Sequence, residues 1–346
     1  MSAAHLKPAL EQLLAREDLS KETMQQVMQA LMSGQASDAQ IGAILIALRM
    51  KGETPEEIAA AAQVMRDLAA GVSIADKTHL VDTCGTGGDG ANTFNVSTAS
   101  AFVVAAAGGK VAKHGNRSIS SKSGSADVLE AAGVNLNLTP EQVAQCVEEV
   151  GVGFMFAPAH HSAMKHVIGA RKSLGVRTLF NLLGPLTNPA GAPAQVVGVY
   201  DEALLPMFAE VLQRLGAKHV MVVHAEDGLD EISIASPTKV AELKAGQITE
   251  WQVQPQTLEK MHESLAPLAV NSAAESLALI EAVFHQKTDS RTEAAKDIIA
   301  LNAGAALYVS GLASSFEAGV QQAETAIQSG AAADKLQQFV QFTQRF

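Results

Sequence analysis

The sequence predicts an α/β protein: a small all-helical N-terminal domain and a larger α/β domain with a mostly parallel central sheet flanked by helices. Three observations predict it. Residues 1–70 carry only helical periodicity, and from His79 short apolar runs alternate with helical stretches. The first of those runs ends in a glycine-rich segment, Gly85–Gly90. A chain of 346 residues exceeds one ordinary core, which also favours two domains.

Taken in order, Leu6, Leu10, Leu13 and Leu14 form an apolar face on the first helix. Ser20 opens a second helix, with Met24, Val27, Met28 and Leu31 at helical spacing before Gly34. Ser37 caps a third, carrying Ile41, Ile44, Leu45 and Leu48, and Thr54-Pro55 starts a fourth with its cap and its first-turn proline. Leu80–Thr83 then reads as a strand, Ser97–Ala107 as a helix, Lys110–Lys113 as a strand and Ser125–Ala132 as a helix. Thr139-Pro140-Glu141-Gln142 is a capping box. Phe154–Phe156, Gln195–Tyr200 and His219–His224 are strands, with a helix at Leu204–Leu215 before the last. Ser162–Leu174 and Thr178–Leu183 read as helices without a strand partner, and Gly184-Pro185 as a turn closing the second. These segments are expected to pack back on the helical domain, so that helices from about 162–190 join residues 1–70, while 75–160 and 191–346 form the α/β domain. Two long helices, Thr292–Gly311 and Ser315–Gly330, end the pattern.

Charge narrows the function. The chain carries a formal net charge of −11, which disfavours a nucleic-acid partner. Two cysteines, Cys84 and Cys146, make neither a disulfide framework nor a zinc site, and the first residues lack the pattern of a signal peptide; a cytoplasmic location is expected, with no membrane partner. Against the acidic background, no Asp or Glu occurs from Gly90 to Ala126, where Lys110, Lys113, His114, Arg117 and Lys122 stand among glycines and hydroxyls. Free backbone amides, helix N-termini and Lys or Arg all favour phosphate oxygens, so a phosphorylated small molecule is the expected ligand.

The spacing of Gly85, Gly87 and Gly90 matches a dinucleotide fingerprint, yet that motif needs an acidic residue at the end of the second strand, where Lys113-His114 stands. No Gly-Lys-Ser/Thr closes the loop either, which excludes a Walker phosphate loop. Asn95, Ser97 and Thr98 fall at a helix start, and Lys113–Ser121 adds cations and hydroxyls. Asp230 and Glu231, side by side after a strand, suit a hard cation such as Mg²⁺ that bridges to diphosphate. Arg171 can hold a substrate carboxylate in a bidentate fork, and Cys84 reads as a loop filler because no neighbour in sequence activates it.

Together DTCGTGGDG (82–90), NTFNVST (92–98), KHGNRSISSKSGSADVLE (113–130), RTLFNLLGPLTNP (177–189) and DGLDE (227–231) give a sequence that resembles the anthranilate phosphoribosyltransferases. SDAQIGAILIALRMKGET (37–54) extends the resemblance into the helical domain. It implies transfer of phosphoribose from 5-phosphoribosyl-1-diphosphate to the amine of anthranilate. It implies that Gly85, Gly88, Asp89, Thr93, Asn95, Val96, Ser97, Thr98, Lys113, His114, Gly115, Asn116, Arg117, Ser118, Ile119, Ser120, Ser121 and Ser125 surround the donor. By the same resemblance Gly85, Asn116 and Arg171 contact anthranilate, with His114 and His161 lining its entry. The resemblance also implies that Ser97 and Glu231 hold one Mg²⁺ and Asp230 and Glu231 a second, and that the chain forms a homodimer through the helical domain. No covalent nucleophile is expected. A pyrimidine-nucleoside phosphorylase, which shares the fold type and a glycine-rich phosphate loop, is the alternative; a non-catalytic nucleic-acid-binding paralogue is a second.

Overall fold

The computed structural model describes residues 5–118 and 122–346. Its first four helices are α1 (Leu6–Leu14), α2 (Lys21–Met32), α3 (Asp38–Lys51) and α4 (Pro55–Leu68). Ser20, Ser37 and Thr54 cap α2, α3 and α4, the last two through complete capping boxes. On α1 the buried positions are Leu6, Ala9 and Leu13. Leu14, expected on that face, is 70% exposed, because one residue turns the side chain by about 100°. Fully buried Glu57 ties the unit together, accepting from the Leu19 and Thr54 amides at 2.9 and 2.8 Å and from Lys51 Nζ at 2.9 Å.

The larger unit runs β1 (Leu80–Gly85), α5 (Val96–Ala106), β2 (Lys110–Gly115), α6 (Ser125–Ala131), α7 (Pro140–Glu149) and β3 (Val152–Phe156). Short α8 (Ala157–His160), α9 (Ile168–Leu174) and α10 (Leu179–Leu186) follow, then β4 (Ala194–Gly198), α11 (Leu204–Arg214) and β5 (His219–Ala225). The chain closes with β6 (Thr238–Lys244), β7 (Gln247–Val253), α12 (Ala273–Phe284), α13 (Ser290–Val309), α14 (Phe316–Gln328) and α15 (Ala331–Thr343). One seven-stranded sheet has the order β3-β2-β1-β4-β5-β6-β7. Strands β1 to β5 pair in parallel, and β6 and β7 are antiparallel.

The sheet separates two apolar layers. Val196, Met221 and Val223 belong to the layer covered by α5 and α12–α15, and the alternate residues Val197, Val220 and Val222 to the other. That second layer is continuous with α1–α4 and takes in Val167, Ala170, Leu179, Phe180, Leu183 and Leu186. Helices α9 and α10 therefore share a core with the N-terminal bundle. No helix among the described residues is long and apolar enough to cross a membrane.

Several elements depart from expectation. Ser162–Leu174 is not one helix but a 3₁₀ segment, Ser162–His166, followed by α9. Gly184-Pro185 does not close α10; Pro185 lies inside the helix, where buried Leu182, Leu183 and Leu186 keep the last turn in place. The β6–β7 hairpin was hidden because its turn places Ala245 and Gly246 at φ 51° and 77°, a conformation for which Asn-Gly is the usual signal. Helices α12 and α15 were also absent from the sequence reading.

Replacing Glu57 by Ala leaves Lys51 and two amides without their shared acceptor, and is expected to cost about 3 kcal/mol. Urea denaturation followed by far-UV circular dichroism checks this, and an unchanged midpoint contradicts it.

Candidate active site

Because β1, β2, β4 and β5 run parallel, their carboxyl ends open on one edge of the sheet. The strand order reverses between β1 and β4, and in open α/β sheets ligands bind at that switch point. The glycine-rich loop after β1 stands there. Its Thr86 amide donates to Gly198 O (2.9 Å), and Thr86 Oγ1 accepts from the Tyr200 amide (3.1 Å). Gly87 N–H donates to Asp230 Oδ2 at 2.8 Å. The amides of Gly88, Asp89 and Gly90 donate to no protein group among the described residues.

The acidic loop after β5 is seated against the same place. A Cβ at Gly198 would lie 1.5 Å from Asp230 O, and one at Gly85 2.7 Å from Asp230 Oδ2; at Gly198 the contact is with backbone, so only glycine admits the loop. Burial, and then the charge of Asp89, push the Asp230 carboxyl up to about 7. Burial and then Asp230 push Glu231 up to about 8, against the opposing pull of Lys113 and the Ser97 amide. Acidic groups held this close want a cation or a proton. Among the described residues no three His, Cys, Asp or Glu side chains form a closed metal cage. Two adjacent carboxylates that leave the remaining positions to water and phosphate oxygens are the donor set Mg²⁺ takes, so the residues fit that ion.

Facing the acids is the N-terminus of α5. The N-cap residue Asn95 makes no capping hydrogen bond and the first turn holds no acid of its own, so this helix end presents positive potential, to the Glu231 carboxyl at the Ser97 amide and to an anion beside it. Thr98 Oγ1 is buried there without a hydrogen-bond partner. Lys113, only 3% exposed, is not a solvated strand tip. Its ammonium donates to Thr83 O and to Ser97 Oγ, the latter at 3.1 Å.

Two expected donor contacts are differently placed. Asn95 Oδ1 accepts from Ser276 Oγ at 2.8 Å and Ser123 Oγ at 2.9 Å, so this side chain anchors the loop after β2 to α12. Arg117 binds Glu130 through both terminal nitrogens, at 2.7 and 2.9 Å, and Asp127 at 3.0 Å. The acid-free stretch ends one residue before Asp127, and a helical turn returns that carboxylate to the loop. Asp127 also accepts from the Ser118 and Gly124 amides. Asn116 Oδ1 accepts from the Arg117 amide, and Ser125 Oγ reaches Asn116 O. Thr93 forms an antiparallel bridge with Ala269. Ile119, Ser120 and Ser121 lie outside the described residues.

The helical bundle domain of the glycosyl transferase family matches residues 7–69, and the a/b domain of that family matches residues 77–333. An anthranilate phosphoribosyltransferase of Hydrogenovibrio crunogenus is 66% identical over 341 residues, covering 99% of each chain. One of Hahella chejuensis is 61% identical over 341 residues, covering 99% of this chain and 98% of that one. The crystal structure of the Thermus thermophilus enzyme of that name superposes with a TM-score of 0.91 at 42% identity, covering 97% of this chain and 99% of that chain. This chain belongs to the anthranilate phosphoribosyltransferase family. The Saccharomyces cerevisiae anthranilate phosphoribosyltransferase in complex with PRPP and Mg superposes with a TM-score of 0.90 at 27% identity, covering 100% of this chain and 99% of that one.

His114 and His161 meet edge to face with ring centroids 5.1 Å apart. His114 Nδ1 lies 3.2 Å from Gly184 O, which makes Nδ1 the protonated nitrogen. Both Nε2 atoms are buried without a hydrogen-bond partner among the described residues. Burial, and then the neighbouring histidine, lower His114 to about 3; burial, and then His160, lower His161 to about 4. Arg171 sits over the Phe180 ring at 5.2 Å, and burial lowers its guanidinium below the usual value. It has no carboxylate partner among the described residues. Cys84 accepts from Gln195 Nε2 at 3.1 Å, and burial holds its thiol well above the ordinary range. Sequence reasoning did not single out Arg177, whose Nη2 donates to Gly88 O at 2.7 Å; its place at the head of the 177–189 motif was the available signal.

The histidines fix a pH dependence. Unfolded imidazoles titrate near 6.5, and the folded ones at about 3 and about 4. The contribution is complete above that unfolded value and is lost as pH falls toward 4, since the unfolded chain binds the protons. Each group is expected to cost about 2 kcal/mol by pH 5. Urea midpoints for wild type and His114→Gln at pH 7 and pH 5 check it: the variant loses less on acidification, and equal losses contradict the assignment.

Proposed function

We propose that the protein transfers phosphoribose from 5-phosphoribosyl-1-diphosphate to the anthranilate amine, releasing diphosphate by direct displacement at C1. The observation that carries this reading is Asp230 held on the Gly87 amide with Glu231 beside Ser97. That contact brings two carboxylates to the N-terminus of α5, which Asn95 does not cap, and to the free amides of the glycine-rich loop, a polarity suited to diphosphate with Mg²⁺.

In this reading Ser97, Asp230 and Glu231 hold two Mg²⁺ ions, which supply positive charge to the diphosphate. The Gly88–Gly90 amides and the α5 N-terminus bind phosphate oxygens, and Lys113 keeps positive charge beside Thr83 and Ser97. Arg171 receives the anthranilate carboxylate, and its stacking on Phe180 fixes the plane of the fork. His114 and His161 stay neutral and offer acceptor Nε2 atoms to the entering aromatic amine. Positioning and charge stabilisation carry the rate, and the buried thiol of Cys84 takes no part. Residues 1–70 with 162–190 form one domain and 75–160 with 191–346 the other. Packing of α9 and α10 in the core of α1–α4 supports the first grouping, and the same core runs on into α11 and one face of β4–β6, where the two domains meet. Exposed Leu14 and Met50, each 70% accessible, make the helical domain the proposed face of a homodimer. A cytoplasmic location belongs to the same proposal and rests on two free cysteines, Cys84 and Cys146.

The direct test is loss of anthranilate fluorescence on adding 5-phosphoribosyl-1-diphosphate and Mg²⁺. Turnover stopped by EDTA supports the reading, and turnover undiminished in EDTA overturns it. The Asp230→Asn, Glu231→Gln double variant is expected to keep its circular dichroism spectrum and lose turnover; normal turnover contradicts the metal assignment. Arg171→Ala is expected to raise the anthranilate KM by about tenfold to a hundredfold, with a far smaller change for the donor. Equal changes in both constants contradict the role of Arg171.

A further inference from the structure

The first residues of the glycine-rich loop are each tied to other parts of the chain. Thr86 and Gly87 are held by Gly198, Tyr200 and Asp230, all from the α/β sheet side. Gly88 is held from elsewhere. Arg177, which follows α9 and precedes α10, donates Nη2–H to Gly88 O at 2.7 Å. Its guanidinium lies 3.7 Å from the centroid of the Tyr200 ring, a stacked cation–π contact that fixes the plane of the fork. Its own carbonyl accepts from Arg49 Nη1 of α3 at 2.6 Å. Arg177 thus joins the helical bundle to the loop through two successive hydrogen bonds.

The conformation of Gly88 agrees with that clamp. Its φ is +86°, and a Cβ there would lie 2.7 Å from Arg177 Nη2. A side chain at this position would meet the guanidinium as well as an unfavourable backbone angle. The carbonyl turned toward Arg177 is part of the peptide that carries the Asp89 amide, one of the free donors of the loop. Turning that carbonyl away from the site directs the amide on the opposite side of the same peptide plane. Arg171 stands six positions earlier in the same segment, so the groups proposed to bind anthranilate and to orient the donor loop are carried on one short stretch of chain.

We infer that Arg177 is a positioning residue for the phosphoribosyl donor: it orients the Gly88–Asp89 peptide and links the placement of the helical bundle to donor binding. The inference rests on the proposed transferase reading. Arg177 itself touches neither substrate; it acts through the peptide it holds. Removing the fork leaves the peptide free to turn, so donor affinity falls while the anthranilate subsite keeps its contacts.

Steady-state kinetics of wild type, Arg177→Gln and Arg177→Lys separate this from a structural role. Arg177→Gln is expected to raise the KM for 5-phosphoribosyl-1-diphosphate about tenfold, the loss expected for one charge-assisted hydrogen bond. The anthranilate KM, measured at saturating donor, is expected to change less than twofold. Arg177→Lys keeps one donor and is expected to recover at least half of the lost donor affinity on a logarithmic scale. A fall in kcat alone with an unchanged donor KM, equal shifts in both KM values, or no recovery by lysine overturns the inference. If Arg177→Gln does not fold, Arg177→Met takes its place and is read against the same outcomes, with Arg177→Lys again as the rescue. Wild-type protein inactive with these substrates instead overturns the transferase reading.

Discussion

The site depends on one contact between loops, the Asp230 carboxylate on the Gly87 amide. Neither loop is a binding site alone. The loop after β1 supplies the Gly88–Gly90 amides, which donate to no protein group among the described residues, and the loop after β5 supplies carboxylates that burial and neighbouring acids, Asp89 among them, hold above their usual range. Their meeting is imposed by the backbone: Gly198 at the end of β4 leaves room for the Asp230 carbonyl that any side chain would fill. Parallel pairing of β1, β4 and β5 brings the three strand ends to one edge. The sheet order then places them at the reversal, where a crevice is unavoidable.

Electrostatic division follows from that arrangement. Asp230 and Glu231 stand on the β5 side with Asp89 of the glycine-rich loop acting on them, and the α5 amides with Lys113 stand opposite. Where an acid approaches the cationic segment, it is already paired, as Asp127 and Glu130 are with Arg117. The aromatic side is kept free of titrating charge by burial of His114 and His161. Cation and anion requirements are thus met by different strands, and the helical bundle contributes through α9, α10 and the segment between them.

Much of this was legible in the sequence because it rests on local signals. Capping residues at Ser20, Ser37, Thr54 and Thr139 mark helix starts that need no tertiary information. The missing acid at the end of β2, where Lys113-His114 stands, excludes a dinucleotide on local grounds alone. What stayed hidden was set by distance along the chain. Arg117 pairs with Glu130, thirteen positions on, and Asn95 with Ser276, 181 positions on; neither partner announces itself by spacing. The β6–β7 hairpin lacked its usual turn residue. Leu14 followed composition where geometry faced it outward. The family motifs marked the sites more sharply than periodicity, since periodicity reports only which face is buried.

The central claim is that the acidic loop and the glycine-rich loop form one anion site only when a divalent cation joins them. Titration calorimetry of 5-phosphoribosyl-1-diphosphate into the apoprotein, with Mg²⁺ and then with EDTA and no anthranilate, tests it most directly. Saturable binding with Mg²⁺ that weakens at least tenfold in EDTA is the predicted result. Equal affinity in both solutions would contradict the account.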